Sequence, residues 1–186
     1  GMLANSHIIQ VVADKVNEHG LENLVVDPVM VAKGGDQLLQ EEAVAALKKL
    51  LIPLATVVTP NLPEAGVLVG RSVESLDDAR QAARDIVAMG ARVAVVKGGH
   101  LEGDAVDVFY DGRELREFTA TRVGTTSTHG TGCTFASAIA AGLAQGMAVE
   151  QAVGQAKEYV TDAIRKAVPL GGGHGPLNHF YNRMGS

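Results

Sequence analysis

Thr56-Val57-Val58-Thr59-Pro60-Asn61-Leu62-Pro63-Glu64 reads as a strand that stops and turns directly into a helix. The β-branched run favours extended backbone, Pro60 ends it, and a helix is expected to start near Pro63. Two further runs end the same way. Leu24-Val25-Val26 reaches Asp27-Pro28, and Arg92–Val96 runs into Lys97-Gly98-Gly99-His100. Between them the apolar spacing turns helical. Residues 37–51 place Leu39, Ala43, Leu47 and Leu50 on one face, with Asp36 as a cap. Ser75-Leu76-Asp77-Asp78 resembles a capping box and opens a helix with Leu76, Ala79, Ala83 and Ile86, ending at Gly90.

Upstream, Ile8, Ile9, Val12 and Val16 predict a first helix, capped by Asn5 or Ser6 and stopped by Gly20. Downstream, residues 105–110 and 114–119 flank Asp111-Gly112, a strong hairpin signal. Two helices follow, one from about Gly132 and one from about Val149 to Ala167. Strands alternating with helices imply parallel βαβ units with helices on both sheet faces. Ligands in such sheets sit at the carboxyl ends of the strands. That rule selects Asp27, Thr59–Glu64 and Lys97–His100 before any chemistry is considered. At 186 residues, with no linker or internal repeat, one domain over 1–186 is expected.

Composition narrows the function. The formal net charge is −5, there is no basic block, and the seven aromatics are three Tyr and four Phe. Nucleic-acid binding calls for a basic face or stacking rings, and neither is present. A single Cys excludes an internal disulfide framework and a Cys-rich zinc site. No apolar run approaches a membrane span of ~20 residues, so a soluble cytoplasmic protein is expected. Gly171-Gly172-Gly173-His174-Gly175-Pro176 reads as a mobile tail or a lid edge.

The chemistry gathers at Thr128-His129-Gly130-Thr131-Gly132-Cys133-Thr134, which leads into an Ala-rich helix. The glycines let successive N–H groups face one concavity, and the helix start adds free donors and partial positive charge. Such a turn binds phosphate and can hold charge on phosphoryl oxygens during transfer. The same field favours the thiolate of Cys133, as a base or a nucleophile. The plainer alternative is a buried structural cysteine.

A P-loop is absent, and a Rossmann turn would have to follow the first strand. Asn61 and Glu64 share one side of a helical turn. They suit either a water-mediated hold on Mg²⁺ or an ordinary cap with a dipole-compensating Glu. Asp27 is a candidate near metal or phosphate, or simply a turn residue. Lys97 is a candidate phosphate counter-charge. A Cys/His hydrolase built on Cys133 and His129 is disfavoured, because neighbours in one turn rarely orient as nucleophile and base and no third group is evident.

Taken in order, four motifs resemble the hydroxymethylpyrimidine/phosphomethylpyrimidine kinases of the ribokinase-like superfamily. They are Val26-Asp27-Pro28-Val29-Met30-Val31-Ala32-Lys33, Thr59–Ala65, Val96–His100 and Thr128–Thr134. Gly173-His174-Gly175-Pro176 with Asn178-His179-Phe180 resembles the family's C-terminal signature. The resemblance implies a three-layer α/β/α fold with a mostly parallel central sheet. It also implies phosphorylation of the hydroxymethylpyrimidine and then of its monophosphate, with ATP and Mg²⁺.

By the same resemblance, Gly130, Thr131 and Gly132 form the anion hole and Cys133 stands where related kinases carry an Asp base. Asn61, Glu64 and Asp27 serve Mg²⁺ and phosphate, with Asp27 and Glu64 as the metal carboxylates. Lys97, Thr131 and Lys157 border the nucleotide, and Met2, Val29 and Cys133 line the pyrimidine pocket. Pyridoxal/pyridoxine kinases are the neighbouring alternative, and a non-catalytic nucleotide-binding fragment is another. The family's opening strand and Gly-rich Ser-Asp segment have no counterpart here, and Gly1-Met2-Leu3 resembles an internal family motif. The expectation is a C-terminal kinase part with missing first strands, an exposed sheet edge, self-association as a homodimer, and ATP binding better preserved than pyrimidine turnover.

Overall fold

A computed structural model describes residues 2–30, 39–99, 103–168, 173 and 175–182. The chain forms two compact units, Gly1–Thr119 and Ala120–Ser186. The first holds a five-stranded sheet in the order β1 (Val25–Val26), β2 (Val57–Val58), β3 (Val93–Lys97), β4 (Ala105–Tyr110), β5 (Leu115–Ala120). β1, β2 and β3 are parallel, with Val25 beside Val57 and Val57 beside Val93. β4 runs antiparallel to β3, setting Lys97 opposite Asp107. Asp111 accepts the N–H groups of Arg113 and Glu114 at 2.8 and 2.7 Å, and Gly112 takes φ +89, so the Asp-Gly signal makes the turn it promises. Those backbone hydrogen bonds, that of Glu114 foremost, hold the Asp111 carboxyl below its ordinary pKa.

The parallel strands need crossovers, and helices supply them. α1 (Ser6–Glu18) is capped by Asn5, whose side chain accepts the Ile8 N–H at 2.9 Å. It buries Ile9, Ala13 and Val16, while Ile8 stays exposed. α3 (Leu62–Val69) and α4 (Leu76–Ala88) link β2 to β3, and α4 starts in the capping box of Ser75 with Asp78. Residues from α1, α3 and α4 join Val26, Val58, Ala94 and Val96 in one hydrophobic cluster, so these helices cover one sheet face. Val93 and Val95, on the alternate face, are also buried.

The long helix expected over 37–51 is replaced by three shorter pieces. α2 (Glu41–Ala46) widens into a π-helical turn at Leu47–Leu51 and tightens into a 3₁₀ turn at Ile52–Leu54. Leu47 and Leu51 are buried in the core, and Leu50 packs against it half-buried, as the expected face requires. Pro53 then removes a backbone donor and ends the run. Asp36, the expected cap, lies outside the described residues, and Gln40 starts the helix without a side-chain cap.

The second unit pairs α5 (Thr131–Ala144) with α6 (Val149–Arg165). Small residues allow the close approach: a Cβ on Gly142 would lie 3.0 Å from that of Ala152. The C-terminal stretch is tied to this pair. His129 N–H donates to the Gly175 carbonyl at 3.1 Å, Asn178 N–H to Ala163 at 3.1 Å, and Tyr159 Oη to the His179 carbonyl at 2.9 Å. Among the described residues no helix is long and apolar enough to cross a membrane.

Candidate active site

In the first unit the carboxyl ends of β1, β2 and β3 bring together five residues. Asp27 follows β1, Thr59, Asn61 and Glu64 follow β2, and Lys97 ends β3. Lys97 Nζ donates to Asp27 Oδ1 at 2.8 Å, with side chains 17% and 14% exposed. Thr59 Oγ1, fully buried, donates to that same oxygen at 3.2 Å. Lys97 is therefore a paired cation, and Asp27 is more than a turn residue. The main chain fixes the strand ends: Thr59 N–H donates to Val26 O at 2.9 Å and Lys97 N–H to Pro60 O at 2.8 Å.

Asn61 and Glu64 form a complete capping box on α3. Asn61 Oδ1 accepts the Glu64 N–H and Glu64 Oε2 accepts the Asn61 N–H, both at 2.8 Å. The cap reading is thus realised, and it leaves one issue open to chemistry. Glu64 is only 3% exposed. Burial pushes its carboxyl above the ordinary range; hydrogen bonding from the Asn61 backbone and the Lys97 charge oppose this, and Asp27 adds to it.

This donor set fits Mg²⁺. Two carboxylates and an amide offer hard oxygens, and Mg²⁺ binds through one or two carboxylates while keeping waters. Among the described residues no cluster of three or more His, Cys, Asp or Glu offers a fuller cage. Met2 is exposed ahead of α1, and Val29 is half-buried beyond Asp27, donating its N–H to the Asp27 carbonyl at 2.9 Å. His100, Val31, Ala32 and Lys33 lie outside the described residues.

In the second unit, Gly130 takes φ +83 and hands the chain to α5. The first α5 hydrogen bond runs from Thr134 N–H to Gly130 O at 2.9 Å. Among the described residues, the N–H groups of Thr131, Gly132 and Cys133 therefore have no protein acceptor. The Thr131 hydroxyl donates back to Thr128 O at 2.8 Å, bracing the turn. Cys133 is exposed, which removes the buried structural reading.

Just upstream, the Ser127 hydroxyl is fully buried without a partner among the described residues. A groove of about 810 Å³ opens beside Cys133, lined also by Ser137, Ala141, Tyr159, Asp162 and His179. Sequence reasoning missed it, because its walls are small or ordinary residues at helical spacing. Lys157 does not line it; it sits half-buried on α6, its carbonyl accepting Thr161 Oγ1 at 2.7 Å. Asp107 was also missed: it is buried on β4 and accepts the Gly98 N–H at 3.1 Å. A lone acid between Val106 and Val108 was its only signal.

The family model for phosphomethylpyrimidine kinase matches residues 1–178. The hydroxymethylpyrimidine/phosphomethylpyrimidine kinase of Bacillus subtilis is 46% identical over 182 residues, covering 97% of this chain and 67% of the relative. The thiamine biosynthesis bifunctional protein ThiED of Geobacter sulfurreducens is 51% identical over 181 residues, covering 97% and 37%. This chain thus spans about two thirds or less of these relatives' lengths. The ADP complex of Bacillus subtilis pyridoxal kinase superimposes with a TM-score of 0.93 at 43% identity, over 100% of this chain and 70% of that one. The fold is therefore ribokinase-like, and the chain belongs to the phosphomethylpyrimidine kinase family.

Proposed function

We propose that this protein is a cytoplasmic, ATP-dependent kinase acting on 4-amino-5-hydroxymethyl-2-methylpyrimidine and then on its monophosphate, in thiamine biosynthesis. The observation that carries the reading is the start of α5: three N–H groups without acceptors among the described residues, beside an exposed thiol. In the first step Cys133 takes the proton of the substrate hydroxymethyl group. The freed oxygen attacks the γ-phosphorus of ATP, the bond to the bridging oxygen breaks, and ADP leaves. Negative charge on the transferring oxygens meets the N–H groups of Thr131, Gly132 and Cys133 along with the positive end of the α5 dipole.

Asp27 and Glu64 would hold Mg²⁺, which supplies charge neutralisation for the phosphates when bound. Lys97 contacts the phosphates, Lys157 borders the nucleotide, and Met2, Val29 and Cys133 contact the pyrimidine. Self-association as a homodimer belongs to the same reading. The edge position of β1 and the exposed Ile8 and Val11 of α1 support it.

The likeness to Bacillus subtilis pyridoxal kinase favours a second reading, in which the accepted alcohol is pyridoxal or pyridoxine. One assay separates the possibilities: ADP release with each alcohol, for wild type and Cys133→Ala. The expected result is Mg·ATP turnover of the pyrimidine that falls at least ~100-fold in the variant, the scale of general-base loss. Equal rates would remove Cys133 as the base. Turnover confined to the pyridoxine series would favour the second reading. Stabilisation by Mg·ATP without turnover would leave a nucleotide-binding protein only.

A further inference from the structure

Asp107 is a buried acid that the proposed chemistry does not use. It is 5% exposed, next in sequence to Val108 and paired across the strands with Lys97. Its Oδ1 accepts the N–H of Gly98, the first residue beyond β3, at 3.1 Å. A buried carboxyl is costly unless its hydrogen bonds do something that a hydrophobic residue could not. Pairing along β3 and β4 is already secured by the backbone, with Ala94, Val95, Val96 and Lys97 in register with Tyr110, Phe109, Val108 and Asp107. The bond from Gly98 to Asp107 lies one residue past the strand, where the chain leaves the sheet.

The bond sets the direction of that exit. Lys97 is held from both sides: its own N–H donates to Pro60 O at 2.8 Å, and the next amide is fixed by Asp107. A residue clamped between two such bonds has little freedom in φ and ψ, so its side chain leaves the strand end at a set angle and reaches Asp27 at 2.8 Å.

We propose that Asp107 is a positioning residue for nucleotide binding: by fixing the Gly98 amide it aims Lys97 at the polyphosphate. This rests on the assignment of Lys97 to ATP phosphate. The acceptor's position, rather than its charge, is what matters. Asp107→Asn keeps an oxygen in place, Asp107→Ala removes it, and Asp107→Glu keeps the charge but moves the acceptor by one methylene.

Calorimetric titration with Mg·ATP and steady-state kinetics on the folded variants test the idea. Asp107→Ala and Asp107→Glu are expected to weaken Mg·ATP binding about tenfold, and Asp107→Asn by no more than about threefold. KM for the pyrimidine should stay within about twofold of wild type in all three, a split that general loosening of the sheet would not give. If Asp107→Ala does not fold, the Glu and Asn pair carries the comparison. Wild-type affinity in Asp107→Glu, or equal loss in Asn and Glu, would overturn the proposal. Failure of the wild type to bind Mg·ATP would instead defeat the assignment of Lys97.

Discussion

Replacing Glu64 with Gln separates two jobs that one side chain performs. As the third residue of α3 it completes the capping box, accepting the Asn61 N–H at 2.8 Å. As a carboxylate 3% exposed near Asp27 and Lys97, it carries charge into a place where charge is expensive. Gln can complete a capping box as well as Glu, so Glu64→Gln keeps the cap and deletes the charge. Glu64→Ala deletes both and leaves a backbone donor without its partner, costing about 2–3 kcal/mol. For a chain of this size that is a fall of roughly 5–10 °C in Tm.

The pH dependence supplies the sign. A carboxyl whose folded pKa is raised binds its proton more tightly in the folded than in the unfolded state. Its contribution is fully present below the unfolded value, near 4.5, and is lost as pH rises through the raised folded value. The stability of wild type relative to Glu64→Gln should therefore fall with increasing pH over that window. Near neutral pH the Gln variant should match or exceed wild type without metal. Thermal melts across pH for all three proteins, with and without Mg·ATP, provide the assay. If Glu64 holds Mg²⁺ as proposed, the added stabilisation by Mg·ATP should shrink in Glu64→Gln, which lacks the carboxylate charge. A Gln variant melting as low as Ala at neutral pH would refute the division of labour. So would wild type gaining on Gln as pH rises.

Two further substitutions test the elements around the site. Lys97→Met leaves the Asp27 carboxylate, 14% exposed, with the Thr59 hydroxyl as its side-chain partner among the described residues. Denaturant unfolding should show a loss of about 1–3 kcal/mol, between the values for surface and fully buried pairs; a double-mutant cycle with Asp27→Asn should recover part of it, and full additivity would argue against the pair. Gly130→Ala meets no atom within 4 Å, but Gly130 sits at φ +83. Its cost is then conformational, ~1–2 kcal/mol in a melting experiment, and an unchanged Tm would show that the turn tolerates another backbone.

Local signals in the sequence translate directly where one side chain meets its own neighbours. Asn5, Ser75 with Asp78, and Asp111-Gly112 satisfy backbone groups within three residues, so composition and spacing suffice to find them. The strand ends also follow, because each β-branched run stops at Pro or Gly. Within 37–51 the apolar face is legible, with Leu39, Ala43 and Leu47 buried and Leu50 packed on the core, but the π-helical turn at Leu47–Leu51 has no local signal. Asp27 and Lys97 were legible as strand-end residues, but their mutual bond joins positions 70 apart and exists only once β1 and β3 flank β2. For Asn61 and Glu64 both sequence readings hold at once: the cap is formed, and its Glu remains a buried acid.

The charge at the strand ends constrains what can bind there. With Asp27 and Glu64 ionised and Lys97 protonated, the described residues of the cluster carry one surplus negative charge, and Thr59 and the cap amides add only dipoles. A bare polyphosphate approaching such a cluster meets repulsion, and its pull on Lys97 competes with the 2.8 Å bond to Asp27. Asp27 and Glu64 would hold a divalent cation bound with the nucleotide, which would offset their charge and leave Lys97 freer for phosphate. The raised Glu64 carboxyl responds in the same sense, since a cation nearby favours its ionised form. In the proposed kinase, a preference for the metal complex over free ATP would follow from the charge balance of these three strand ends.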